Sequence, residues 1–389
     1  MVRIPRRLRI DLPERQSAFL WGPRKVGKST FLRETFPDSI VFDFLKTDLM
    51  LDLTRRPALL RERLMAEDPG RLAHPVILDE VQKVPAVLDE VHWLIENMDL
   101  RFVLCGSSAR QLRRGQVNLL GGRAWRYEMF PLVTPELEDH GTLDLLRILQ
   151  RGTIPDHHAS PGYLRSLDAY VQDYLKEEVF AEGLTRNAPA FSRFFEAITH
   201  SHGELTNYAN VARDVGVDAK TVKAYYEILV DTLLGRFVEP YRRRPGRQII
   251  TRAPRFYLFD VGVAGAVTRR RVTETRGEVF GRAFEHFVFT ELAAHASYSG
   301  LDYPIRFWRT KSGLEVDFVL GDGQVAIEVK GTSRLDSREL RPLKAFTEEH
   351  RPRSAHVVCN EPAPRVVDGI QVTPWLEFLR KLWADEIVR

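Results

Sequence analysis

The ten residues WGPRKVGKST, from Trp21 to Thr30, have the spacing G-x-x-x-x-G-K-[ST]. Loops with this spacing surround a β-phosphate with backbone N–H groups, while the lysine reaches the β- and γ-phosphate oxygens and the hydroxyl binds Mg²⁺. We therefore predict a nucleotide site in which Lys28 binds phosphate and Ser29 binds the metal ion. The whole loop is predicted to contribute: Gly22, Pro23, Arg24, Lys25, Val26, Gly27, Lys28, Ser29 and Thr30.

A glycine- and lysine-rich surface turn can match the same spacing by chance, so the flanking residues decide between the two interpretations. The apolar run SAFLW before the loop predicts a buried strand. After the loop, KSTFLRETF places Phe31, Leu32 and Thr35 at helical spacing, and Pro37 ends the helix. Strand, loop and helix is the order that phosphate binding at a helix N-terminus requires.

A second acidic element follows in HPVILDEVQKVP. Its apolar residues predict a strand, and Asp79 and Glu80 lie at the carboxyl end of that strand, where open α/β sheets bind ligands. We expect Asp79 to hold Mg²⁺ through water, and Glu80 to orient or deprotonate the attacking water. A helix cap after the strand is the alternative role for this acidic pair.

A third strand is predicted in LRFVLCGSS, which ends in Ser107 and Ser108. Either serine can contact the γ-phosphate or the attacking water, and the alternative is an N-cap for the residues that follow. The next segment, GGRAWRYEMFPL, predicts a glycine turn, Arg123 and another strand. An arginine after such a turn can stabilise transition-state charge across a subunit interface, which makes Arg123 the candidate finger and Arg126 the second choice.

These segments together resemble an AAA+ superfamily P-loop ATPase. The resemblance is closest to a bacterial and archaeal group of ATP-binding proteins with the ILDEVQKVP, GSSARQL and GGR…PL motifs. It implies a five-stranded parallel sheet flanked by helices, with ATP and Mg²⁺ as the bound nucleotide and metal. It also implies a homo-oligomer, of which a hexameric ring is one form.

The middle third begins with a loop around His157 and His158, which we interpret as a linker. A helix then carries an aromatic and aliphatic stripe at spacings of three and four, which is typical of a core-facing helix and, alternatively, of a base-stacking surface. The stripe consists of Tyr163, Leu167, Tyr170, Val171, Tyr174 and Leu175.

A winged-helix pattern is predicted further along the middle third. Thr206 is expected to cap one helix, Gly216 to make the turn, and Asp218 to cap a second helix. RFVEPY then predicts a strand and RRRPGR a basic hairpin tip. DNA binding is one interpretation and packing against protein is the other. The candidate DNA contacts are Lys220, Lys223, Arg242, Arg243, Arg244 and Arg247, with Thr221 as a further exposed residue on the second helix.

The last third predicts a helix, GRAFEHFVFTEL, followed by the strands PIRFWR, LEVDFVL and QVAIEVK. Glu328 and Lys330 share one face of the last strand, and Asp317 lies on the adjoining strand. This order resembles the PD-(D/E)xK nuclease-like fold. Asp317, Glu328 and Glu285 are the candidate ligands of a second Mg²⁺, with Lys330 positioning water. A domain of this fold can cut DNA, or can only hold it or pack against other domains.

Length and composition limit the remaining possibilities. The 389 residues are 44% hydrophobic and 28% charged, which predicts a folded chain of two or three domains. No apolar run is long enough to span a membrane, and no signal-peptide pattern opens the chain. Cys105 and Cys359 lie in apolar runs, so we expect reduced core thiols and a cytoplasmic protein. The net charge of +4 gathers in arginine patches that suit either phosphate backbones or solvent.

The predicted fold class is α/β, with four consecutive segments. These are a P-loop AAA+ parallel-sheet ATPase core at 1–137, a helical lid or linker at 138–190, a winged-helix domain at 191–265, and a PD-(D/E)xK-like α/β domain at 266–389. The leading functional hypothesis is an ATP-dependent DNA translocase or branch-migration motor. An ATP-gated, metal-dependent DNA nuclease and an ATP-dependent switch that binds a protein partner are the alternatives.

Overall fold

The computed structural model describes residues 4–108, 120–174, 188–242 and 253–389. The chain forms two compact units. The first unit comprises residues 8–131 and 231–234. The second unit comprises the residues up to Arg7 together with 132–230 and 235–389.

The first unit is built on a five-stranded sheet in the order β2-β3-β4-β1-β5. All neighbouring strands in it are parallel, as the resemblance implied. The strands are β1 (Ser17–Trp21), β2 (Val41–Asp43), β3 (Val76–Asp79), β4 (Phe102–Gly106) and β5 (Ala124–Glu128). The helices are α1 (Lys28–Thr35), α2 (Thr47–Arg55), α3 (Leu59–Met65), α4 (Pro69–Leu72) and α5 (Val87–Met98), with 3₁₀ turns at Val81–Lys83 and Leu120–Gly122.

The apolar runs of the sequence form the centre of this sheet. Every residue of β1, β3 and β4 is buried, as expected for parallel strands covered on both faces. The core between the sheet and the helices includes Phe102, Leu78 and Leu94. The edge strand β5 is only partly buried, with Trp125 and Arg126 exposed.

The second unit contains an eight-stranded mixed sheet in the order β12-β13-β11-β10-β9-β8-β6-β7. Its strands are β6 (Gly235–Pro240), β7 (Arg255–Leu258), β8 (Ile305–Arg309), β9 (Glu315–Leu320), β10 (Val325–Lys330), β11 (Ser354–Cys359), β12 (Arg365–Val367) and β13 (Ile370–Pro374). Strands β8, β9 and β10 form an antiparallel meander, while β11 is parallel to β10 and β13 is parallel to β11. The three strands predicted in the last third are therefore confirmed, with Gly321 and Gly323 at positive φ in the turn between β9 and β10.

The described helices of the second unit fall into a group before β6 and a group after β7. The earlier group is α6 (Thr134–Asp139), α7 (Leu145–Arg151), α8 (Pro155–Ala159), α9 (Tyr163–Ala169), α10 (Ala188–Ser201), α11 (Tyr208–Val215) and α12 (Ala219–Asp231), with a π-helical turn at Tyr170–Tyr174. The later group is α13 (Val261–Thr268), α14 (Gly277–Tyr298), α15 (Arg341–His350) and α16 (Trp375–Trp383), with a 3₁₀ turn at Ser337–Leu340.

The predicted helix–turn–helix is present as α11 and α12, with one change in its capping. Asn207, and not Thr206, caps α11, because its side chain accepts hydrogen bonds from the N–H groups of Ala209 and Asn210. Gly216 ends α11 in the left-handed conformation that favours glycine. Asp218 caps α12 by accepting a hydrogen bond of 2.8 Å from the N–H of Thr221.

The segment predicted as a histidine linker is packed structure. His157 and His158 lie in α8 and are almost completely buried. The Nδ1 atom of His157 bonds to the Ser166 hydroxyl, and that of His158 bonds to the carbonyl of Gly152. These local hydrogen bonds allow two polar rings to be buried.

The predicted stripe helix also differs from the structure, because α9 passes into the π-helical turn after Ala169. Leu167 and Tyr170 are buried as expected. The side chain of Tyr174 and the whole of Leu175 lie outside the described residues.

The four predicted segments correspond to two compact units. The boundary predicted between 265 and 266 falls within the second unit, because β6 of the predicted wing pairs with β8 of the C-terminal sheet. Residues of the wing and of the last third therefore share one sheet.

Within the described ranges, each helix is too short or too polar to cross a membrane.

Candidate functional site

The chemically interesting residues of the first unit meet at one edge of its sheet. Strands β1, β3 and β4 are parallel neighbours, with Trp21 paired to Gly106 and Asp79 paired to Cys105. The carboxyl ends of these strands therefore lead directly into the loop at 22–30, into Asp79 and Glu80, and into Ser107. This edge is where parallel sheets bind ligands, and the sequence placed the same residues there.

The backbone of the loop requires its two glycines. A Cβ atom at Gly22 would lie 2.6 Å from the carbonyl oxygen of Met129, so no larger residue fits there. Gly27 has a φ of 96° and immediately precedes α1, where its carbonyl accepts a hydrogen bond from the N–H of Phe31. The loop thus presents the N-terminus of α1 at the sheet edge, an arrangement that favours anions.

Lys28 is held inside the loop. Its side chain is buried, with 6% of the residue exposed, and Nζ donates hydrogen bonds to the carbonyls of Gly22 (2.7 Å) and Pro23 (3.0 Å). Both acceptors are neutral backbone groups. The ammonium charge is therefore bonded to groups that phosphate oxygens, which carry negative charge, can replace.

The remaining loop residues differ in exposure. Val26 is fully buried and anchors the loop, and Lys25 and Thr30 are exposed. Arg24 and Ser29 are half-buried, so both side chains remain reachable by a ligand. All of these predicted residues therefore lie in the one loop at 22–30, which is partly exposed at the surface.

Asp79 and Glu80 are both buried at the end of β3. Asp79 Oδ1 accepts a hydrogen bond of 3.1 Å from the backbone N–H of Glu80. Glu80 has a φ of 59°, a left-handed conformation that costs a residue other than glycine about 1–3 kcal/mol. Such strain is typical of a side chain that the fold must aim in one direction.

The pKa of the Cys105 thiol depends on the charged side chains around it. Burial raises the pKa of its thiol well above the ordinary value, and the negative charge of Asp79 raises it further. Lys28 opposes the shift in this pKa and Glu80 adds to it. The lysine and both carboxylates therefore lie within electrostatic range of one buried thiol. The sequence had indicated only a core thiol here.

Gln82 is a site residue that the sequence interpretation missed. It is buried, with 5% exposed, and its Nε2 donates hydrogen bonds to Glu80 Oε2 (2.5 Å) and to Ser107 Oγ (3.2 Å). The amide therefore joins the acidic pair after β3 to the serine after β4. The sequence signal for it was weak, because Gln82 is one of two polar residues in the turn VQK that follows Asp79 and Glu80.

The arginine candidates lie away from this edge. The backbone carbonyl of Arg123 accepts a hydrogen bond from the N–H of Ser17 at the start of β1, which is the opposite end of the strand from the loop. Its guanidinium forms an ion pair with Glu96. Arg126 lies in the middle of β5, in register with Phe19, and is exposed. The structure therefore brings neither arginine to the nucleotide edge of its own chain.

Only part of the predicted DNA-contacting set falls on described residues. Lys220 and Lys223 are exposed on α12, and Lys223 lies 3.8 Å from Glu227 of the same helix. Arg242 is exposed directly after β6. Arg243, Arg244 and Arg247 lie outside the described residues, as does the arginine-rich stretch RQLRRG at 110–115.

Arg242 lines a basic cleft of about 370 Å³ in the second unit. Three further arginines line the same cleft, together with Asp322: Arg306 on β8, and Arg351 and Arg353 directly after α15. The sequence interpretation missed these three, because they lie far along the chain from Arg242 and only the fold brings them to it.

The carboxylates predicted as a second metal site also lie close together in the second unit. Asp317 on β9 and Glu328 on β10 occupy paired antiparallel strands, and Glu285 projects from α14. Lys330 Nζ forms an ion pair of 2.7 Å with Glu328 Oε1. Glu328 is buried on the strand face that it was predicted to share with Lys330, because α14 and α15 both pack against this strand.

A residue absent from the prediction occupies the middle of this cluster. Arg255 of β7 forms ion pairs with Glu285 (3.3 Å), with Asp317 (3.7 Å) and with Glu315. Within the described ranges, no group of three His, Cys, Asp or Glu residues is arranged to hold a metal ion. The carboxylates of Glu285 and Asp317 bind a guanidinium here, so they do not form an open set of metal ligands.

The cluster shifts the pKa values of its members. Burial raises the pKa of Glu285 and of Glu328, and the neighbouring Asp317 raises both further. Burial would lower the pKa of Arg255, but Tyr257, Glu285 and Asp317 outweigh it and raise this pKa. The Arg255 guanidinium therefore stays charged, and its positive charge compensates the buried carboxylates around it.

One of three matching family models bears on the site of the first unit. Residues 14–138 match the family model described as AAA domain. Residues 143–274 match a domain of unknown function, DUF8612, and residues 280–378 match another, DUF4143. An uncharacterized protein of Mycobacterium tuberculosis and one of Mycobacterium bovis are each 26% identical over 395 residues, covering 98% of this chain and 85% of the relative.

The matched AAA segment contains the loop, the acidic pair, Gln82 and Ser107. The sequence-based prediction of an AAA domain with a parallel sheet at the amino-terminal end is thus confirmed.

Proposed function

We propose that the first unit binds and hydrolyses Mg-ATP. The observation that carries this proposal is the meeting of the loop, the acidic pair and Ser107 at the carboxyl ends of three neighbouring parallel strands. A phosphate site needs backbone donors and a cation, and hydrolysis needs a carboxylate beside the attacking water. All of these are provided within one edge of one sheet.

Each residue has a defined role in this proposal. Lys28 exchanges its two backbone carbonyl partners for phosphate oxygens, and the N-terminus of α1 adds its positive dipole. Glu80 orients the attacking water or accepts its proton, and Ser107 contacts the same water or the γ-phosphate. The Nε2 group of Gln82 holds the Glu80 carboxylate through a hydrogen bond to Oε2.

The residues also fit a magnesium ion bound with the nucleotide. Asp79 supplies a buried carboxylate and Ser29 a half-buried hydroxyl, which are oxygen ligands of the kind that Mg²⁺ prefers. The ion would neutralise phosphate charge and orient the nucleotide.

ATP hydrolysis by the purified chain tests this proposal. We expect Mg²⁺-dependent release of phosphate by the wild type. Glu80→Gln should retain ATP binding and lose at least about 100-fold in turnover, because the amide cannot accept the proton. Full turnover by Glu80→Gln would show that another group activates the water.

We further propose that hydrolysis drives movement on DNA, in translocation or branch migration. The support is the pairing of α11 and α12 with the β6–β7 hairpin, which is the element order of a winged helix, and the basic cleft with four arginines. Arginine clusters bind phosphates bidentately and without regard to base sequence.

DNA stimulation of turnover distinguishes this motor from the alternatives. ATP hydrolysis should be measured with duplex, single-stranded and four-way-junction DNA, with the same samples scored on gels for strand exchange and cleavage. Replacing Arg306 and Arg351 by Gln should weaken binding and reduce its dependence on salt by about one unit of log slope per lost phosphate contact. Turnover and mobility unaffected by DNA would favour a nucleotide switch with a protein partner.

A homo-oligomer belongs to the same proposal. Arg123 lies at the end of the sheet opposite its own nucleotide edge, which suits a role at the site of a neighbouring subunit, in a ring or in another assembly. Mass photometry with and without ATP tests assembly. Mixing Arg123→Ala chains with Glu80→Gln chains tests the role in trans, because only a shared site allows the mixture to recover activity.

The order α14, β8, β9, β10, α15, β11 supports a nuclease-like fold for the last third of the chain. A nuclease that needs Asp317, Glu328 and Lys330 for cleavage is the weaker alternative function, because Arg255 is bonded to Asp317. DNA cleavage in the gel assay above would restore that alternative.

A further inference from the structure

Arg255 is the cation of the carboxylate cluster in the second unit. Its guanidinium contacts Glu285, Glu315 and Asp317, which come from α14 and β9. Only 4% of the residue is exposed. It is therefore a buried charge that three acidic partners compensate.

Further groups contact this guanidinium or hold its carboxylate partners in place. Its centre lies 4.9 Å from the centre of the Phe307 ring, a cation–π contact that stabilises the charge on a further side. The hydroxyl of Tyr257, two residues along β7, donates a hydrogen bond of 2.5 Å to Glu285 Oε1. The backbone N–H of Val329 donates one of 2.8 Å to Asp317 Oδ2.

These contacts engage both oxygens of Asp317 and one oxygen each of Glu285 and Glu328, while Glu328 Oε2 is buried without a hydrogen-bond partner. Asp317 accepts from Val329 through Oδ2 and faces Arg255 through Oδ1, while Glu285 Oε1 is shared by Tyr257 and Arg255. Glu328 is bonded to Lys330. A divalent ion would have to displace Arg255 into a buried apolar environment, which costs several kcal/mol for an unpaired charge.

We propose that Arg255 permanently takes the place of a divalent metal ion in this cluster. The second unit is then independent of metal ions and does not cleave nucleic acid, and the guanidinium instead joins β7 to α14 and β9. This inference concerns residues outside the nucleotide site, so it is independent of ATP hydrolysis.

Metal binding in the absence of nucleotide tests this inference. Mn²⁺ is titrated into wild-type protein and Asp317→Asn protein, with bound Mn²⁺ followed by electron paramagnetic resonance and stability by thermal melting. We expect the two proteins to bind the same amount of Mn²⁺, and neither Mn²⁺ nor EDTA to shift the wild-type melting temperature. One Mn²⁺ per chain that Asp317→Asn removes would overturn the proposal.

Arg255→Met provides a second comparison. Without the guanidinium, the carboxylates repel one another, so added Mn²⁺ should raise the melting temperature of this variant and leave that of the wild type unchanged. If Arg255→Met does not fold, the comparison of Mn²⁺ binding by the wild type and by Asp317→Asn still tests the proposal. Arg334→Met, which removes an arginine outside the cluster, is the matched control.

A separate observation concerns Gln82 and rests on the proposed ATP hydrolysis. Its Nε2 donates to both Glu80 and Ser107, while its Oε1 is buried without a hydrogen-bond partner. A Cβ atom at Gly106 would collide with this oxygen, so the glycine keeps room for the amide. A buried polar atom left unpaired at a ligand site costs stability unless the ligand pairs it.

We infer that Gln82 is a positioning residue that couples Glu80 to Ser107 and accepts a hydrogen bond through Oε1 when substrate and water are bound. It acts on the chemical step through these two residues and not on nucleotide affinity.

Steady-state kinetics test the role of Gln82. Gln82→Ala should lower kcat at least about tenfold with KM for ATP within about twofold, since the interaction matters in the transition state. Combining it with Ser107→Ala should cost less than the product of the single effects. Lys83→Ala, at the exposed neighbouring position, should leave both constants unchanged.

The outcomes separate this inference from the proposed function. A wild-type chain without ATPase activity removes the proposed function itself. An active wild type with an unchanged or increased kcat in Gln82→Ala overturns the positioning role alone.

Discussion

Both units bring a buried cation close to carboxylates, but the two cations are bonded differently. Lys28 in the first unit donates to two neutral backbone carbonyls of its own loop. Arg255 in the second unit forms ion pairs with three carboxylates. The first arrangement leaves the cation bonded to partners that a phosphate can replace, and the second satisfies the cation with full opposite charges.

This difference separates the proposed nucleotide site from the proposed structural cluster, although the two use similar residue types. A charge-assisted hydrogen bond to phosphate is stronger than one to a neutral carbonyl, so Lys28 gains when nucleotide binds. Exchanging the ion-pair partners of Arg255 for a ligand is unfavourable, because removing Arg255 from its buried carboxylates leaves unpaired charges. Acidic residues with a nearby cation are therefore insufficient evidence of a catalytic site.

The largest expected effect is on turnover when the exchangeable cation is removed. Lys28→Met should reduce ATP hydrolysis at least about 1,000-fold, equivalent to about 4 kcal/mol of transition-state stabilisation. The free energy of unfolding should change by about 1 kcal/mol or less, because only neutral hydrogen bonds are lost. Phosphate release and urea unfolding measure the two quantities. A large loss of stability would mean that Lys28 is structural, as Arg255 is.

Removing the cation of the second unit should have the opposite outcome. Arg255→Met should lower the free energy of unfolding by about 3–5 kcal/mol, because buried carboxylates lose their partner. Urea denaturation followed by circular dichroism measures this change. The double variant Arg255→Met/Asp317→Asn should recover part of the loss. A change below about 1 kcal/mol would contradict the structural role.

Another buried carboxylate sharpens the comparison, because its hydrogen-bond partners are neutral. Glu291 accepts hydrogen bonds from the N–H of Thr134 (2.9 Å) and from Trp383 Nε1 (2.7 Å). Burial raises its pKa from 4.5 to about 7. As the pH rises, the Glu291 carboxyl group therefore loses its proton at a lower pH in the unfolded chain than in the folded chain. The contribution of this group to the free energy of unfolding falls between about pH 4.5 and 7.

Glu291→Gln should remove this pH dependence. Between pH 5 and 8, the wild type should lose on the order of 2 kcal/mol of stability from this group, and the variant should not. Urea midpoints at both pH values measure the effect. Glu278→Gln, at an exposed position of the same helix, serves as the control and should titrate like the wild type. An equal pH dependence in Glu291→Gln would show that the carboxylate is ionised without cost.

The smallest effect is expected at the surface of the carboxylate cluster. Arg309 lies 3.0 Å from Glu315, but its side chain is 36% exposed and Glu315 also binds Arg255. Arg309→Gln should change the free energy of unfolding by less than about 1 kcal/mol, as is usual for exposed ion pairs. A loss comparable to that of Arg255→Met would mean that the two arginines share the role of internal cation.

Prediction succeeded where a short stretch of chain determines the outcome. The loop at 22–30, the strand before it and the acidic pair after β3 were all found, because spacing and apolar runs are local properties. The caps at Gly216 and Asp218 were found for the same reason. Thr206 was wrong as a cap because Asn207, one residue later, offers an equally suitable side chain.

Prediction failed where distant residues meet. His157 and His158 look like a polar loop, yet they are buried, because Ser166 and the Gly152 carbonyl supply hydrogen-bond partners. Gln82 reaches Ser107 only because β3 and β4 are neighbours in the sheet. Hydrophobic periodicity in the sequence does not indicate which distant residues come into contact.

The sequence by itself determined the loop at 22–30, the strand before it and the helix–turn–helix, because each depends on residues close together in the chain. The parallel pairing of the strands joins residues far apart in the chain, and only the family resemblance implied it. Only the tertiary structure decided what the carboxylates of the second unit do. Arg255 comes from a hairpin far along the chain from Asp317, and the pairing of β6 with β8 places that hairpin in the C-terminal sheet. Charges interact through space, so the role of a carboxylate depends on which cation the fold places beside it.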